Sequence, residues 1–323
     1  MNDRNGRLSR WAAVAAAGVL AVGLVGCSSG TDSADGERTV DLQGVETTIP
    51  DHADRIISIH NASTQPLIEA GGADRIIAAL EMPAAMVPPA NRAAFEAIPD
   101  KIELNTPAES LAAMSPDLIV TFDSNEPGNN EEMTKIAPVA VMQISGPGRA
   151  DWQGRSQAAG EILGSTDKVD DLRSALTERQ ETIKKTYADV LAANTVTVLD
   201  SYETGNLYAS GTKSMVGDLF GQAGVRFAPS VSGDGTRPES NPGEFEASTE
   251  RLGDYLDADI IFVGSNYDGQ YNQLQKDLLA NPLLAARSAS VQPLGLLTIS
   301  SYAQANYMLD QLEKALKAAR DEK

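Results

Sequence analysis

The sequence predicts an α/β protein of two lobes joined by one long helix. Three observations carry the prediction. Seven short apolar runs, rich in β-branched residues, alternate with helical stretches. Residues 168–193 form a long segment without Gly or Pro, placed between the fourth run and the fifth. The halves on either side of it repeat a local pattern.

The chain of 323 residues opens with an address. Arg4, Arg7 and Arg10 precede an uncharged run over 11–26, which is about the length of a secretory leader. A membrane span needs roughly 20 apolar residues, so the run is short for one. It ends Leu24-Val25-Gly26-Cys27, which resembles the lipobox of bacterial lipoproteins, where the cysteine becomes the lipidated first residue. There is no twin-arginine pair, which points to the general secretory route. Residues 28–38 are polar and flexible in composition and read as a tether. The expected organisation is a leader over 1–26, lipidated Cys27 and tether over 27–38, a first lobe over 39–167, a linking helix over 168–193 and a second lobe over 194–323. The expected location is the outer face of the bacterial cytoplasmic membrane, held by the lipid anchor.

Residues 40–50 read as an entry hairpin, with Gly44 breaking an alternating stretch. Strands are expected at 55–60, 75–80, 117–122, 139–144, 195–200, 259–264 and 295–300. Their apolar character on both faces is that of a covered parallel sheet. In the 168–193 segment Val169, Leu172, Leu176, Ile183, Tyr187 and Val190 recur at helical spacing, with charges on other faces. Such a helix is about 39 Å long at 1.5 Å per residue, a rod between lobes that predicts a small hinge motion. The echo between the halves is Glu109 in a helix start before the strand led by Asp117, and Glu250 before the strand led by Asp259.

Composition excludes several functions. There are 26 Lys+Arg against 45 Asp+Glu, a net charge of −19. Loss of the leader removes three arginines and Asp3, so the charge becomes −21. Nucleic acid and anionic lipid surfaces are therefore poor partners. A single cysteine rules out disulfides within the chain, and two histidines, His52 and His60, cannot form a three-histidine zinc site. No Gly-x-Ser-x-Gly elbow and no Gly-x-Gly-x-x-Gly turn is present, and Gly211-Thr212-Lys213-Ser214 lacks the upstream glycine of a phosphate loop. No enzyme, cofactor or resident metal is expected.

The chain resembles the substrate-binding proteins of iron-siderophore, haem and cobalamin ABC importers. The resemblance spans roughly 39–320 and rests on blocks in order: Thr47-Thr48-Ile49-Pro50, Gly71-Gly72-Ala73-Asp74-Arg75, Ser115-Pro116-Asp117-Leu118, Lys135-Ile136-Ala137-Pro138, Asp151-Trp152, 211–224, and Asn281-Pro282-Leu283. It implies two Rossmann-like lobes with the ligand in the cleft between them. It also implies delivery of the ligand, with no chemistry done on it, to a permease dimer driven by an ATPase. The receptor itself is expected to be a monomer. Glu109 and Glu250 match the glutamates that dock such proteins on their permeases. Each also suits a helix start, Glu109 as the fourth residue of a Thr106-x-x-Glu109 capping box.

Loops at the carboxyl ends of strands line such clefts. In the first lobe they nominate His60, Asn61, Ser63, Glu81, Met82, Glu103, Asn105, Asp123, Asn125 and Arg149. In the second they nominate Tyr202, Glu203, Tyr208, Arg237, Asn266, Tyr267 and Tyr302. Relatives that bind hydroxamates often carry Arg six residues before the first docking glutamate, where this chain has Glu103. Glu81, Glu103, Asp123, Glu126 and Glu203 outnumber Arg149 and Arg237 among these loops. That balance favours a neutral or cationic ferric complex, such as a hydroxamate siderophore, over a catecholate. Haem would use His60 or a cleft tyrosine as axial ligand. Cobalamin needs no charged cluster.

Overall fold

The computed structural model describes residues 36–124, 127–236, 238–239, 241–287 and 290–321. The leader, Cys27, Asn125, Glu126 and Arg237 lie outside the described residues.

The entry hairpin is present as β1 (Glu37–Leu42) and β2 (Val45–Pro50). Its turn places Gln43 and Gly44 at φ 56° and 87°, the pair of positive angles a two-residue hairpin turn requires. The strand starts inside the stretch read as tether. Arg38 holds it there, its guanidinium donating to the carbonyls of Glu161 and Ile162 at 2.7 and 2.8 Å.

The first lobe contains β3 (Ile56–Ser58), β4 (Ile76–Leu80), β5 (Asp100–Ile102), β6 (Leu118–Phe122) and β7 (Val139–Met142). They form a parallel sheet in the order β5-β4-β3-β6-β7. The second contains β8 (Val196–Asp200), β9 (Asn206–Ser210), β10 (Glu244–Ser248), β11 (Ile260–Val263) and β12 (Val291–Pro293), ordered β10-β9-β8-β11-β12. The two orders are the same, and both reverse direction at the first strand. The echo in the sequence has a structural counterpart. Asp117 accepts the backbone N–H groups of Asp54 and Arg55 before β3, and Asp259 accepts the N–H of Thr195 before β8.

Three strands escape the pattern of buried runs. β5 is an edge strand of Asp-Lys-Ile with one buried side chain. β9 and β10 are antiparallel to their neighbours. Only a short turn separates β8 from β9, and a parallel return would need a dozen residues or more. Conversely, 295–300 is not a strand. Pairing stops at Pro293, and Gly295 turns the chain at φ 89°. Leu297 and Ile299 are buried as loop residues against the core, so their apolar character reflects packing and not a sheet.

The helices are α1 (Asn61–Leu67), α2 (Arg92–Glu96), α3 (Ala108–Ala113), α4 (Pro127–Met133), α5 (Trp152–Leu163), α6 (Thr166–Thr186), α7 (Ala188–Ala193), α8 (Met215–Gln222), α9 (Gln273–Leu279), α10 (Pro282–Ala285) and α11 (Tyr302–Asp321). The linking helix is thus two helices. α6 has 21 residues, or about 32 Å, and ends at Tyr187, whose backbone leaves the helical region at φ −116° and ψ 24°. Tyr187 is buried under the guanidinium of Arg320 from α11, and beyond it Val190 and Leu191 both turn into the core.

α6 joins the lobes by contact as well as by chain. Val169, Leu176 and Ile183 belong to one continuous apolar core with Trp152 and Ile162 of the first lobe and Phe220, Met308 and Leu312 of the second. Gln180 donates to the carbonyl of Leu219, and Arg179 pairs with Asp310 and Glu313 of α11. Separate apolar clusters fill the outer faces of the two sheets. Among the described residues no helix is long and apolar enough to cross a membrane.

Candidate ligand cleft

A cavity of about 290 Å³ opens between the lobes. His60, Asn61 and Ala62 line it from the loop after β3 and the start of α1. Ile144 and Arg149 reach it from the loop after β7, and Arg155 from α5. The second lobe contributes Leu296, Thr298 and Ser300 from the loop after β12. The cavity therefore lies where the first sheet reverses its order, the position at which α/β sheets hold ligands.

His60 is built into α1 as its N-cap. Its Nδ1 accepts the N–H of Ala62 at 3.0 Å, and its ring lies 4.6 Å from that of Phe122. Nδ1 as an acceptor leaves the proton on Nε2, so the imidazole offers the cavity a donor and not a lone pair. Burial, and then the charge of Arg155, lower its pKa to about 4. The sign of the resulting pH effect follows. Between 6.5 and about 4 an unfolded chain binds a proton at this histidine and the folded protein does not. Stability from this site is therefore lost as pH falls through that window. His60→Asn keeps a capping side chain and removes the titration. It is expected to lose less stability than the wild type between pH 7 and pH 5 in urea melts; a steeper loss would contradict the assignment.

Arg155 is 1% exposed. Its Nη1 donates to the carbonyls of Gln143, Gly148 and Arg149 at 3.1, 3.0 and 3.2 Å. Its Nη2 crosses to the second lobe and donates to Ile299 at 3.0 Å. Among the described residues no carboxylate touches it. Burial lowers its pKa to about 10, which still leaves it charged. Arg149 is half-buried, and its guanidinium stands 3.9 Å from Glu244 of β10, the outer limit of an ion pair. The Nε of each arginine is buried without a hydrogen-bond partner.

Of the residues nominated from sequence, His60, Asn61 and Arg149 come together in this cavity. Ser63 is buried beneath it and bonds Ser58 and the His60 carbonyl. Glu81 is exposed at the end of β4, and Met82 packs against the core. Glu103 and Asn105 are exposed, and Asn105 lines a separate hollow with Thr106 and Glu132. Asp123 spends its carboxylate on the N–H groups of Ile144 and Ser145. Tyr202 is half exposed with its ring 5.0 Å from that of buried Tyr208, and Glu203 is exposed. Asn266 closes a tight turn on the N–H groups of Asp268 and Gln270. Tyr267 is buried and receives a bond from Gln304, and Tyr302 is buried edge-on against Trp152.

Two expectations lose their footing here. The reasoning toward a neutral or cationic ligand counts Glu81, Glu103, Asp123, Glu126 and Glu203 in the cleft; Glu126 lies outside the described residues, and none of the other four lines this cavity. No tyrosine lines it either, and His60 presents a donor, so no axial ligand for haem faces it among the described residues. The sequence reading missed Arg155. Its signal was available, because Arg155 falls on the stripe of Trp152, Ala159 and Ile162, where a charge is out of place unless it has a task.

The chain matches the family described as periplasmic binding protein over residues 56–291. It belongs to that family. The family is one of solute-binding receptors and not of enzymes. Among curated relatives, YhfQ of Bacillus subtilis (strain 168), named as an ABC transporter substrate-binding lipoprotein, is 25% identical over 224 residues, 66% of this chain and 67% of that one. Solved structures share the two-lobed fold. The siderophore periplasmic binding protein from the fuscachelin gene cluster of Thermobifida fusca superposes with a TM-score of 0.66 at 24% identity, covering 82% of this chain and 97% of that one. FhuD2 of Staphylococcus aureus with bound ferrioxamine B gives 0.66 at 18%, covering 82% and 99%. A periplasmic solute binding protein of Mycobacterium smegmatis gives 0.68 at 21%, covering 88% and 99%.

Proposed function

We propose that this receptor is a lipid-anchored protein on the outer face of the cytoplasmic membrane that captures a ferric siderophore between its lobes. It then hands the siderophore to an ABC permease for iron uptake. The observation that carries the reading is the inter-lobe cavity, lined by polar donors from both lobes and built on strand-end loops. Fold kinship to a siderophore-binding protein and to FhuD2 holding ferrioxamine B supports an iron complex as cargo. Haem is disfavoured by the protonated Nε2 of His60. Cys27 supplies the anchor in this reading, and Glu109 and Glu250, one on each lobe, supply the contacts to the permease.

Trp152 is the sole tryptophan after the leader, and it lies in the same helix as Arg155. An iron complex in the cavity should quench it. Titration of the full chain in detergent is expected to show saturable, submicromolar quenching by at least one ferric siderophore. Haem and cobalamin should bind at least tenfold more weakly. Tight binding of haem or cobalamin alone would overturn the proposal.

A further inference from the structure

The lobes are tied to each other beside the cleft as well as through α6. The segment between β4 and α2 reaches out from the first lobe, and its carbonyl at Ala85 accepts the N–H of Tyr267, in the loop after β11 of the second, at 2.8 Å. Arg92 spans the same gap. Its Nε donates to the carbonyls of Ala84 and Val87 at 2.8 and 3.2 Å, and its Nη2 pairs with Asp268 at 2.7 Å. One guanidinium thus gathers the segment and bolts it to the other lobe, a task for the planar fork of arginine and not for lysine. A partly exposed ion pair contributes little by itself. Its effect here is to hold the segment that carries Ala85.

Both partners are stiff before they meet. Pro83 and Pro88 stand at φ −56° and −53° ahead of the turns Ala84–Met86 and Pro89–Asn91, angles the proline ring fixes in advance. Val87 is fully buried, and Asn91 donates to Gln65 and Glu69 of the first lobe. Across the gap, Asn266 accepts the N–H groups of Asp268 and Gln270, and Gly269 turns at φ 75°, so a closed turn presents the aspartate. The Tyr267 hydroxyl accepts from Gln304. The same amide donates to the carbonyl of Thr298 and accepts the N–H and hydroxyl of Ser300. Thr298 and Ser300 line the cavity. The tie is therefore continuous, through two buried side chains, with the second-lobe wall of the cleft.

The opposite flank is held differently. There Arg149, after β7, and Glu244, on β10, stand 3.9 Å apart. A backbone bond and a short ion pair fasten one flank, and a long pair spans the other. Two lobes hinged at α6 and fastened on one flank can part only on the other.

We infer that residues 83–92 form a permanent strap across one flank of the cleft, bolted by Arg92 to Asp268, and that solute enters and leaves by the opposite flank, between Arg149 and Glu244. The inference uses the cleft of the receptor reading and holds for any cargo. Asn266 and Tyr267, nominated from sequence as ligand contacts, are on this assignment the anchorage of the strap.

The test uses the full chain in detergent, without ligand, and spin labels carried on an introduced ketone-bearing residue, which leaves Cys27 untouched. One pair of labels replaces Glu81 and Gln270, exposed on the strapped flank; the other replaces Ser124 and Glu203, exposed in the loops after β6 and β8. The distance distribution of the first pair is expected to be at least twofold narrower than that of the second. Arg92→Ala should widen the first at least twofold and speed hydrogen exchange at the Tyr267 N–H at least tenfold, with exchange in α6 unchanged. Asp268→Ala makes the same test from the exposed turn of the other lobe, so poor folding of one variant does not spare the idea. Equal widths for the two pairs in the wild type, or Tyr267 exchange that neither substitution alters, would overturn the strap. These readouts need no cargo, so they decide the strap whether or not a ferric siderophore binds, and failure of the receptor reading is seen separately by quenching of Trp152.

Discussion

Replacing Glu69 by alanine is expected to destabilise the protein by about 3 kcal/mol, the combined scale of a lost helix cap and buried donors left unpaired. Glu69 lies in the first lobe just after α1. Its carboxylate accepts the N–H groups of Tyr302 and Ala303 at 2.8 and 2.7 Å, the first two residues of α11 in the second lobe. Asn91 adds a third donor at 3.2 Å. A capping residue normally sits next to its helix in sequence. This one is 233 residues away and belongs to the other lobe. The favourable field of a 20-residue helix end is thus used to clamp the lobes.

Burial raises the pKa of Glu69, against the lowering effect of the bonds from Ala303, Tyr302 and Asn91. A raised carboxylate pKa means that the folded state holds the proton more readily than the unfolded chain does. The stability it contributes by titration is present at low pH and is lost as pH rises through the raised value. Glu69→Gln keeps one acceptor oxygen and cannot titrate. It should cost about 1 kcal/mol and flatten the pH dependence above the ordinary carboxylate range. Because one apolar core runs through both lobes, unfolding should be a single transition and the loss should appear as a shifted denaturation midpoint. A Glu69→Ala protein within 0.5 kcal/mol of wild type would show that water satisfies the freed donors through the neighbouring hollow, which Glu69, Asn91 and Asn306 line.

How far the sequence reached can be judged from particular residues. The central strands β3, β6, β8 and β11 were legible because burial on both faces keeps a run mostly apolar, with only Ser58, Thr121, Thr197 and Asp200 as polar members. β10 was not, since Glu-Phe-Glu-Ala-Ser at a sheet edge has the composition of a loop. The 295–300 run misled for the opposite reason: a loop that plugs an inter-lobe core is as apolar as a strand. In the site, His60, Asn61 and Arg149 were legible as residues following strands. Glu69 was not, because it acts on N–H groups far along the chain and nothing in local spacing announces them; Arg155 was signalled by its place on an apolar helix stripe, but its partner Ile299 was not. The acids misled because counting charges in loops ignores where each carboxylate is spent, and Asp123 is spent on its own scaffold.

Reversing both docking charges, Glu109→Lys with Glu250→Lys, is expected to abolish siderophore-dependent iron uptake, by tenfold or more, while leaving ligand affinity and stability unchanged. Both side chains are exposed and neither has an ion pair or side-chain hydrogen bond among the described residues. The local reason for Glu109 is removed by the structure. No capping box forms, because Pro107 is the N-cap of α3 and the hydroxyl of Thr106 bonds back to Glu103. Glu250 opens the helical turn over Thr249–Tyr255, and Ser248, not the glutamate, caps it. The two therefore occupy matching places in matching lobes, each just ahead of the aspartate that braces its sheet. Two unpaired acids at equivalent sites can read the relative placement of the lobes, because both engage cationic pockets of a symmetric permease only at one spacing. At a distance of 4 Å a charge pair near a protein surface is worth about 4 kcal/mol, and reversal turns each attraction into a repulsion. Single reversals should therefore retain part of the uptake, and high salt should weaken wild-type stimulation of the permease ATPase. If the double variant still drives uptake at the wild-type rate while binding its ligand normally, docking depends on another surface of the lobes.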